Sequence, residues 1–376
     1  MIKIPKHIET LRPYIAGKMI EEFARERNLS RIVKLASNEN PLGPSPKAIE
    51  AVRQSLDKSF RYVDPGAYDL VRAIGERIGR PTEQIVCGAG TDALLSYIVK
   101  AFTGDGDEVI TADGTFIGIY VSVRKHNRTL VTVPLKDYSF DLDAIAARIG
   151  DRTRIVYLAN PNNPTGTMFT SRQFESFMAK VPSNVLVVLD EAYFSYAESH
   201  PQYPDGLKYD FDNLIVTRTF SKDYGLAGFR VGYACGPEYL IREIYKVRLA
   251  FEPSYPAQVA ATAALGDEAF LRTTVDLNGR MLEKMRTRFE QLGIVQIPSV
   301  ANFILMLFPS ASLAEQFNAG CLDRGLIVRH VAGFGIPNGI RMNSGTEDET
   351  EFALEVIEKV HAGMMASASV ARSAQS

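Results

Sequence analysis

Apolar, β-branched runs alternate with segments of helical period through the middle of this chain, and that alternation limits the folds open to it. The runs cover residues 84–87, 108–111, 129–133, 154–159, 185–189, 213–217 and 230–234. Between them lie patterns such as TDALLSYIVKAF (91–102) and SRQFESFMAKV (171–181), whose apolar residues recur three and four apart. Strands apolar on both faces need cover on both faces, and intervening helices supply it. The pattern predicts an α/β fold with a mostly parallel sheet. In such sheets ligands sit at the carboxyl ends of the strands, so residues just after each run carry the functional interest.

From about residue 271 the pattern changes to a long charged amphipathic helix, then short strands around ANFILMLF and GIRMNS. This predicts a second, smaller α+β domain. The expected division is an N-terminal arm over 1–40 contributing to the small domain, a large domain over 41–270, a small domain over 271–364 and a frayed tail over 365–376. Composition excludes several classes. A formal net charge of −2 leaves no electrostatic footprint for nucleic acid or a membrane surface. Cys87, Cys235 and Cys321 are far apart and odd in number, which fits a reducing compartment rather than a disulfide framework. The five histidines are scattered without a zinc-binding spacing, so no metal site is expected. The opening MIKIPKHIETLRPY lacks an apolar core, and no stretch approaches the ~20 apolar residues of a membrane span. A cytoplasmic protein is expected.

Four strand ends carry chemistry. In VCGAGTDALL (86–95) a glycine turn leads into a helix opened by Thr91 and Asp92, where backbone N–H groups can cradle a phosphate. The same loop also satisfies a loose dinucleotide fingerprint through Gly88, Gly90 and Ala93, with Asp113 as a ribose-binding acid; a plain N-cap at Thr91 is the simplest alternative. In YLANPNNPTG (157–166) prolines and asparagines make a turn rigid enough to aim Asn163 at a ligand, although most such clusters are ordinary polar turns. In VLVVLDEAY (185–193) Asp190 ends a fully apolar strand, a poor place for a carboxylate without a cation unless it caps a helix or joins a salt bridge. In TRTFSKDYGLAGFR (217–230) Lys222 follows Ser221, with Thr219 before it and Arg230 after it. Hydroxyls and a guanidinium around one amine suit a phosphate beside that amine, and crowding by positive charge lowers a lysine pKa toward reactivity. Gly225 and Gly228 are expected to turn the backbone so that Arg230 returns to the same anion.

Taken together, a phosphate cradle, an aimed amide, a carboxylate suited to a ring nitrogen and a reactive amine match the needs of pyridoxal 5′-phosphate. A dinucleotide explains only the first. The motifs LRPYIAGK, LASNENPLGPSP, RYVDPGAYDLVRAI, GAGTDALL, NPNNPTG, DEAY, TRTFSKDYGLAGFRVGY, ANFIL, GLIVRH and IRMNSG, in this order, carry a resemblance over nearly the whole chain. It resembles the fold-type I pyridoxal-phosphate-dependent aminotransferases and, among them, the histidinol-phosphate aminotransferase branch.

The resemblance implies a large domain with a mostly parallel seven-stranded sheet, a smaller α+β domain and a homodimer with shared active sites. It implies that Lys222 captures the cofactor's aldehyde and moves the substrate proton, and that Asp190 pairs with the ring nitrogen. Asn163 and Tyr193 would hydrogen-bond the phenolic oxygen, and Phe116 would stack on the ring. Gly90, Thr91, Asp92, Thr219, Ser221 and Arg230 would hold the phosphate, joined by Tyr62 from the partner subunit. Arg341 would clamp the substrate carboxylate; as an ordinary edge-strand arginine it would be merely solvated. Tyr14, Asn38 and Arg329 match positions lining the substrate pocket, with Arg329 facing a substrate phosphate. The sequence departs from the usual pattern at ADGTF, RYVDP, AFEPSYPAQVA, RH (329–330) and LRPYIAG, all near the substrate entrance. The expected activity is transamination of L-histidinol phosphate with 2-oxoglutarate by a ping-pong mechanism. An aromatic amino acid donor, a decarboxylase, a nucleotide-dependent oxidoreductase and a catalytically idle relative are the alternatives.

Overall fold

The structure, a computed structural model, describes residues 2–11, 29 and 31–373, with side chains to residue 366. After a two-residue β1 (Val33–Lys34), seven strands build the central sheet. They are β2 (Ile85–Gly88), β3 (Glu108–Asp113), β4 (Thr129–Pro134), β5 (Thr153–Ala159), β6 (Leu186–Asp190), β7 (Leu214–Thr219) and β8 (Gly232–Cys235). Each matches one apolar run of the sequence to within two residues. Their spatial order is β2-β8-β7-β6-β5-β3-β4. Strands β3 to β7 are mutually parallel, whereas β8 is antiparallel to both its neighbours. That reversal brings the start of β8 to the edge where the other strands end.

Strands β6 and β7 are buried along their whole length, so their sequences read as continuous apolar runs with no alternation. Helices Thr91–Phe102, Ile117–Lys125, Ser171–Met178 and Glu238–Val247 share one apolar core with the sheet. A second core gathers Val33 and Leu35 with Met285, Phe289, Phe317 and Ile357. It underlies a sheet of order β12-β13-β10-β9, made of β9 (Val295–Ile297), β10 (Phe303–Leu307), β12 (Arg329–His330) and β13 (Gly339–Asn343). The early strand β1 joins this region by parallel pairing with β11 (Leu326–Ile327).

Two expectations change. The segment expected to fray from residue 365 continues the helix Glu347–Ser373. Alanine and methionine favour helix, and lengthening an existing helix needs no new nucleus. The dinucleotide alternative fails on topology: β2 pairs with β8 at one edge of the sheet and β3 lies between β5 and β4, so the two strands are not the adjacent parallel pair that a dinucleotide fold needs. Among the described residues no helix is long and apolar enough to cross a membrane.

Candidate active site

A cavity of about 230 Å³ opens above the carboxyl ends of β5, β6 and β7, where Ala159, Asp190 and Thr219 line it. Its anion-facing end is built from three segments. Gly90 precedes the helix Thr91–Phe102 with φ 84° and ψ 168°, a conformation only glycine adopts readily. No side chain caps that helix, which excludes Thr91 as its N-cap and leaves the first backbone N–H groups free to face a ligand. Thr91 and Asp92 line the cavity, as do Thr219 and Ser221, whose hydroxyls lie 3.0 Å apart. Arg230, just ahead of β8, reaches the same end. A Cβ added to Gly90 would stand 2.7 Å from its Nη2 and would push the guanidinium aside, while the backbone conformation is what calls for glycine. Arg230 itself adopts the left-handed region, φ 57°. The turn after Lys222 is therefore made by Gly225, φ 69°, and by Arg230 itself, whereas Gly228, expected to help, has no positive φ. Gly225 is also irreplaceable by contact, because a Cβ there would lie 2.0 Å from the carbonyl oxygen of Gly43.

The floor of the cavity carries the acid and the amine. Asp190 is only 4% exposed and caps no helix. Its Oδ2 accepts a 2.7 Å hydrogen bond from the Tyr157 hydroxyl, and its Oδ1 accepts from the Ala192 amide. Both partners are neutral, and burial raises the carboxyl pKa to about 6 despite these bonds. Lys222 donates from Nζ to the Ser37 carbonyl at 3.1 Å. Burial, then the positive charge of Arg341, lowers its pKa to about 8. An amine held this way has a substantial neutral, nucleophilic fraction near neutral pH.

The opposite wall comes from the second core. Arg341 lies on β13, an interior strand between β12 and β10, and is 4% exposed rather than solvated at an edge. Its Nη1 donates to Asn163 Oδ1 and its Nη2 donates to the Ala36 carbonyl at 2.6 Å. Asn38, with φ 56°, donates from Nδ2 to the Tyr193 hydroxyl at 2.7 Å, while its buried Oδ1 has no hydrogen-bond partner among the described residues. Phe116 and Arg329 also line the cavity, and the Arg329 guanidinium carbon lies 5.8 Å from the Phe334 ring centroid. Tyr14 lies outside the described residues. Tyr62 does not line the cavity of its own chain; it is 86% exposed and stacks on Phe251 at 4.6 Å.

Tyr157, Ser37 and Phe334 are site residues that sequence reasoning missed. Tyr157 had a signal, since a phenol inside a fully apolar strand demands a buried partner. Ser37 contributes only its carbonyl, and Phe334 reaches the cavity through packing of distant segments; neither leaves a local signal.

A family profile described as aminotransferase class I and II matches residues 30–357. The chain belongs to this family. This aminotransferase is 43% identical over 357 residues to histidinol-phosphate aminotransferase 2 of Hydrogenovibrio crunogenus, covering 94% of this chain and 95% of the relative. It is 40% identical to the histidinol-phosphate aminotransferase of Anaeromyxobacter over 360 residues, covering 95% and 98% of the two chains. The crystal structure of histidinol-phosphate aminotransferase from Sinorhizobium meliloti in complex with pyridoxal 5′-phosphate superimposes with a TM-score of 0.89. That likeness holds at 29% identity and spans 97% of the aminotransferase and 99% of the crystallised chain. The site of the aminotransferase fits such a cofactor on its own geometry. The Gly90 cradle beneath Arg230 suits a phosphate, the buried Asp190 has no salt-bridge partner among the described residues, and Lys222 supplies the amine.

Proposed function

We propose that the chain transfers the amino group of L-histidinol phosphate to 2-oxoglutarate by a ping-pong mechanism, with pyridoxal 5′-phosphate as cofactor. The observation that carries the donor is the presence of two guanidinium groups besides Arg230, those of Arg329 and Arg341, in the cavity that Lys222 lines. One suits the carboxylate of an amino or oxo acid, and the other suits a phosphate at the far end of the donor. When bound, the cofactor supplies an electron sink conjugated to the carbon that loses its proton.

The chain's own groups do the rest. The Lys222 amine anchors the aldehyde and then carries the substrate's Cα proton. Asp190, held by Tyr157, keeps the ring nitrogen protonated. Asn163 and Tyr193 hold the phenolic oxygen, and Phe116 covers the ring. Gly90, Thr91, Asp92, Thr219, Ser221 and Arg230 hold the phosphate, and Asn38 and Tyr14 line the donor's path. We read residues 1–40 and 271–364 as one small domain that closes the site over the large domain of residues 41–270.

A half-reaction screen tests the donor. The holoenzyme mixed with histidinol phosphate should lose its visible cofactor band, and Arg329→Ala should raise the KM for this donor by at least about tenfold, the cost of a charge-assisted contact. No spectral change with histidinol phosphate, beside a clear one with phenylalanine or tyrosine, would move the assignment to an aromatic donor. The Phe334 ring in the cavity wall favours that second reading.

The exposed Tyr62 motivates a homodimer. Tyr62, Phe60 and Leu249 are largely exposed and apolar in the single chain, and Tyr62 stacks on the neighbouring Phe251. In a twofold dimer Tyr62 of each copy completes the phosphate end of the other. Tyr62→Phe is expected to weaken cofactor retention by about 10- to 100-fold, one hydrogen bond to a charged group, while leaving the mass by light scattering that of two chains. A monomeric mass for the wild-type holoenzyme would remove this reading.

A further inference from the structure

Immediately behind the cofactor-facing residues lies a second polar structure that none of the roles above uses. Consecutive residues at strand ends point to opposite faces, so Glu191 and Arg218 turn away from the cavity that Asp190 and Thr219 face. Both line a separate cavity of about 340 Å³, and Ala192 and Thr219 form part of the wall of each cavity.

Arg218 Nε and Nη2 donate to Glu191 Oε2 at 2.9 and 2.7 Å, and Nη2 also donates to Asp205 Oδ1 at 2.6 Å. The other Glu191 oxygen accepts the Gly206 amide at 2.8 Å. The Phe194 ring closes the guanidinium from one side, with its centroid 3.4 Å from Cζ. Glu191 is 1% exposed and Arg218 is 9% exposed. Burial works against the charge on Arg218, but Glu191 and Asp205 outweigh it and raise its pKa. Gly206 has to be glycine here, since a Cβ would stand 2.7 Å from Leu189 and 2.8 Å from Val216 side-chain atoms.

This arrangement joins the ends of β6 and β7 through one planar fork. Asp190 is the chain neighbour of one end of the fork and Thr219 of the other. We infer that the Glu191–Arg218 pair is a positioning clasp, holding Asp190 against the ring nitrogen and Thr219 and Ser221 against the phosphate of one cofactor. The inference rests on the roles proposed for Asp190 and Thr219. The geometry favours a clasp over a ligand site because each donor named on the guanidinium already meets a carboxylate.

The test is the double variant Glu191→Leu with Arg218→Met, which removes both members of the pair together and leaves Asp205 to Lys208, 3.7 Å away. The apoenzyme should melt close to wild type, yet dissociate from pyridoxal 5′-phosphate with a Kd at least about tenfold higher. The pH midpoint of the cofactor's visible band should shift by about half a unit or more. Wild-type affinity and midpoint in a folded double variant would overturn the clasp, because a merely structural pair lowers the melting temperature alone. Should the double variant fail to fold, Asp205→Asn removes one carboxylate from the guanidinium at a partly exposed position. It should weaken cofactor binding in the same direction, and an unchanged Kd and midpoint would again overturn the inference. Lys222→Ala separates the two levels: a visible band surviving there sinks the proposed site roles themselves, whatever the clasp variants do.

Discussion

Lys222→Ala leaves a folded protein whose turnover falls by at least about a thousandfold, since one group supplies both covalent anchoring and proton transfer. The visible absorbance of the bound cofactor disappears with it. Retained turnover in this variant would refute the proposed mechanism. The structure adds a pH signature. Burial first, then Arg341 and Arg230, bring the amine pKa down to about 8 from an ordinary 10.5. Only the neutral amine attacks an aldehyde, so capture of added cofactor by the apoenzyme should rise about tenfold per pH unit below 8 and level off above it. The stability consequence has a fixed sign. Between about 8 and 10.5 the unfolded chain binds a proton at this position and the folded chain does not, so the apoprotein gains stability as pH rises through that window. Stopped-flow absorbance checks the first statement and thermal melts check the second.

Asp190→Asn should separate binding from chemistry. The amide keeps the size and a hydrogen-bonding oxygen for Tyr157, so cofactor should still be captured. With no anion beside the ring nitrogen, turnover should fall by about 10²- to 10³-fold, the scale of one lost electrostatic contact in a dry site. A variant with near wild-type turnover would remove Asp190 from the proposed machinery. The pH dependence runs opposite to that of the lysine. The carboxyl pKa is raised by burial to about 6 from 3.8, so the folded apoprotein holds a proton that the unfolded chain has released. Stability on this account is full below about 3.8 and is lost as pH climbs through about 6. Melting curves of wild type and Asp190→Asn apoenzymes should therefore diverge across that range, the variant showing the flatter profile.

The inner strands of the central sheet were legible because burial on both faces leaves continuous apolar runs, as in β6 and β7, whereas the half-exposed edge strand β4 was legible by its β-branched residues. The cofactor-facing residues were legible for a related reason. Lys222 and Asp190 are charges placed where an apolar strand stops, and such a charge needs a partner. Residues acting through backbone or through packing left no such trace. The Ser37 carbonyl on Lys222, the Phe334 ring and the bond from Asn38 to Tyr193 depend on segments far apart in sequence. The turn between Lys222 and Arg230 misled for a local reason. Two glycines suggested two left-handed steps, whereas the arginine takes the second one itself. The clasp behind the site was equally hidden, because Glu191 and Arg218 look like ordinary charges until the strands bring them together.

Arg341 also sets an order of events on the growing chain. Its bond to the Ala36 carbonyl joins residues 305 positions apart, and its bond to Asn163 spans 178 positions. Thr91, Asp190, Lys222 and Arg230 are all made by the time β8 completes the central sheet. A chain of that length already contains the residues of the Gly90 cradle and the Lys222 amine, but it lacks β11, the partner of β1, and the wall that carries Arg341. The anchoring half of the site is thus encoded early and the selecting half late. A chain cut short before β13 keeps the groups proposed to grip the cofactor while lacking Arg341, the arginine proposed to choose what reacts with it.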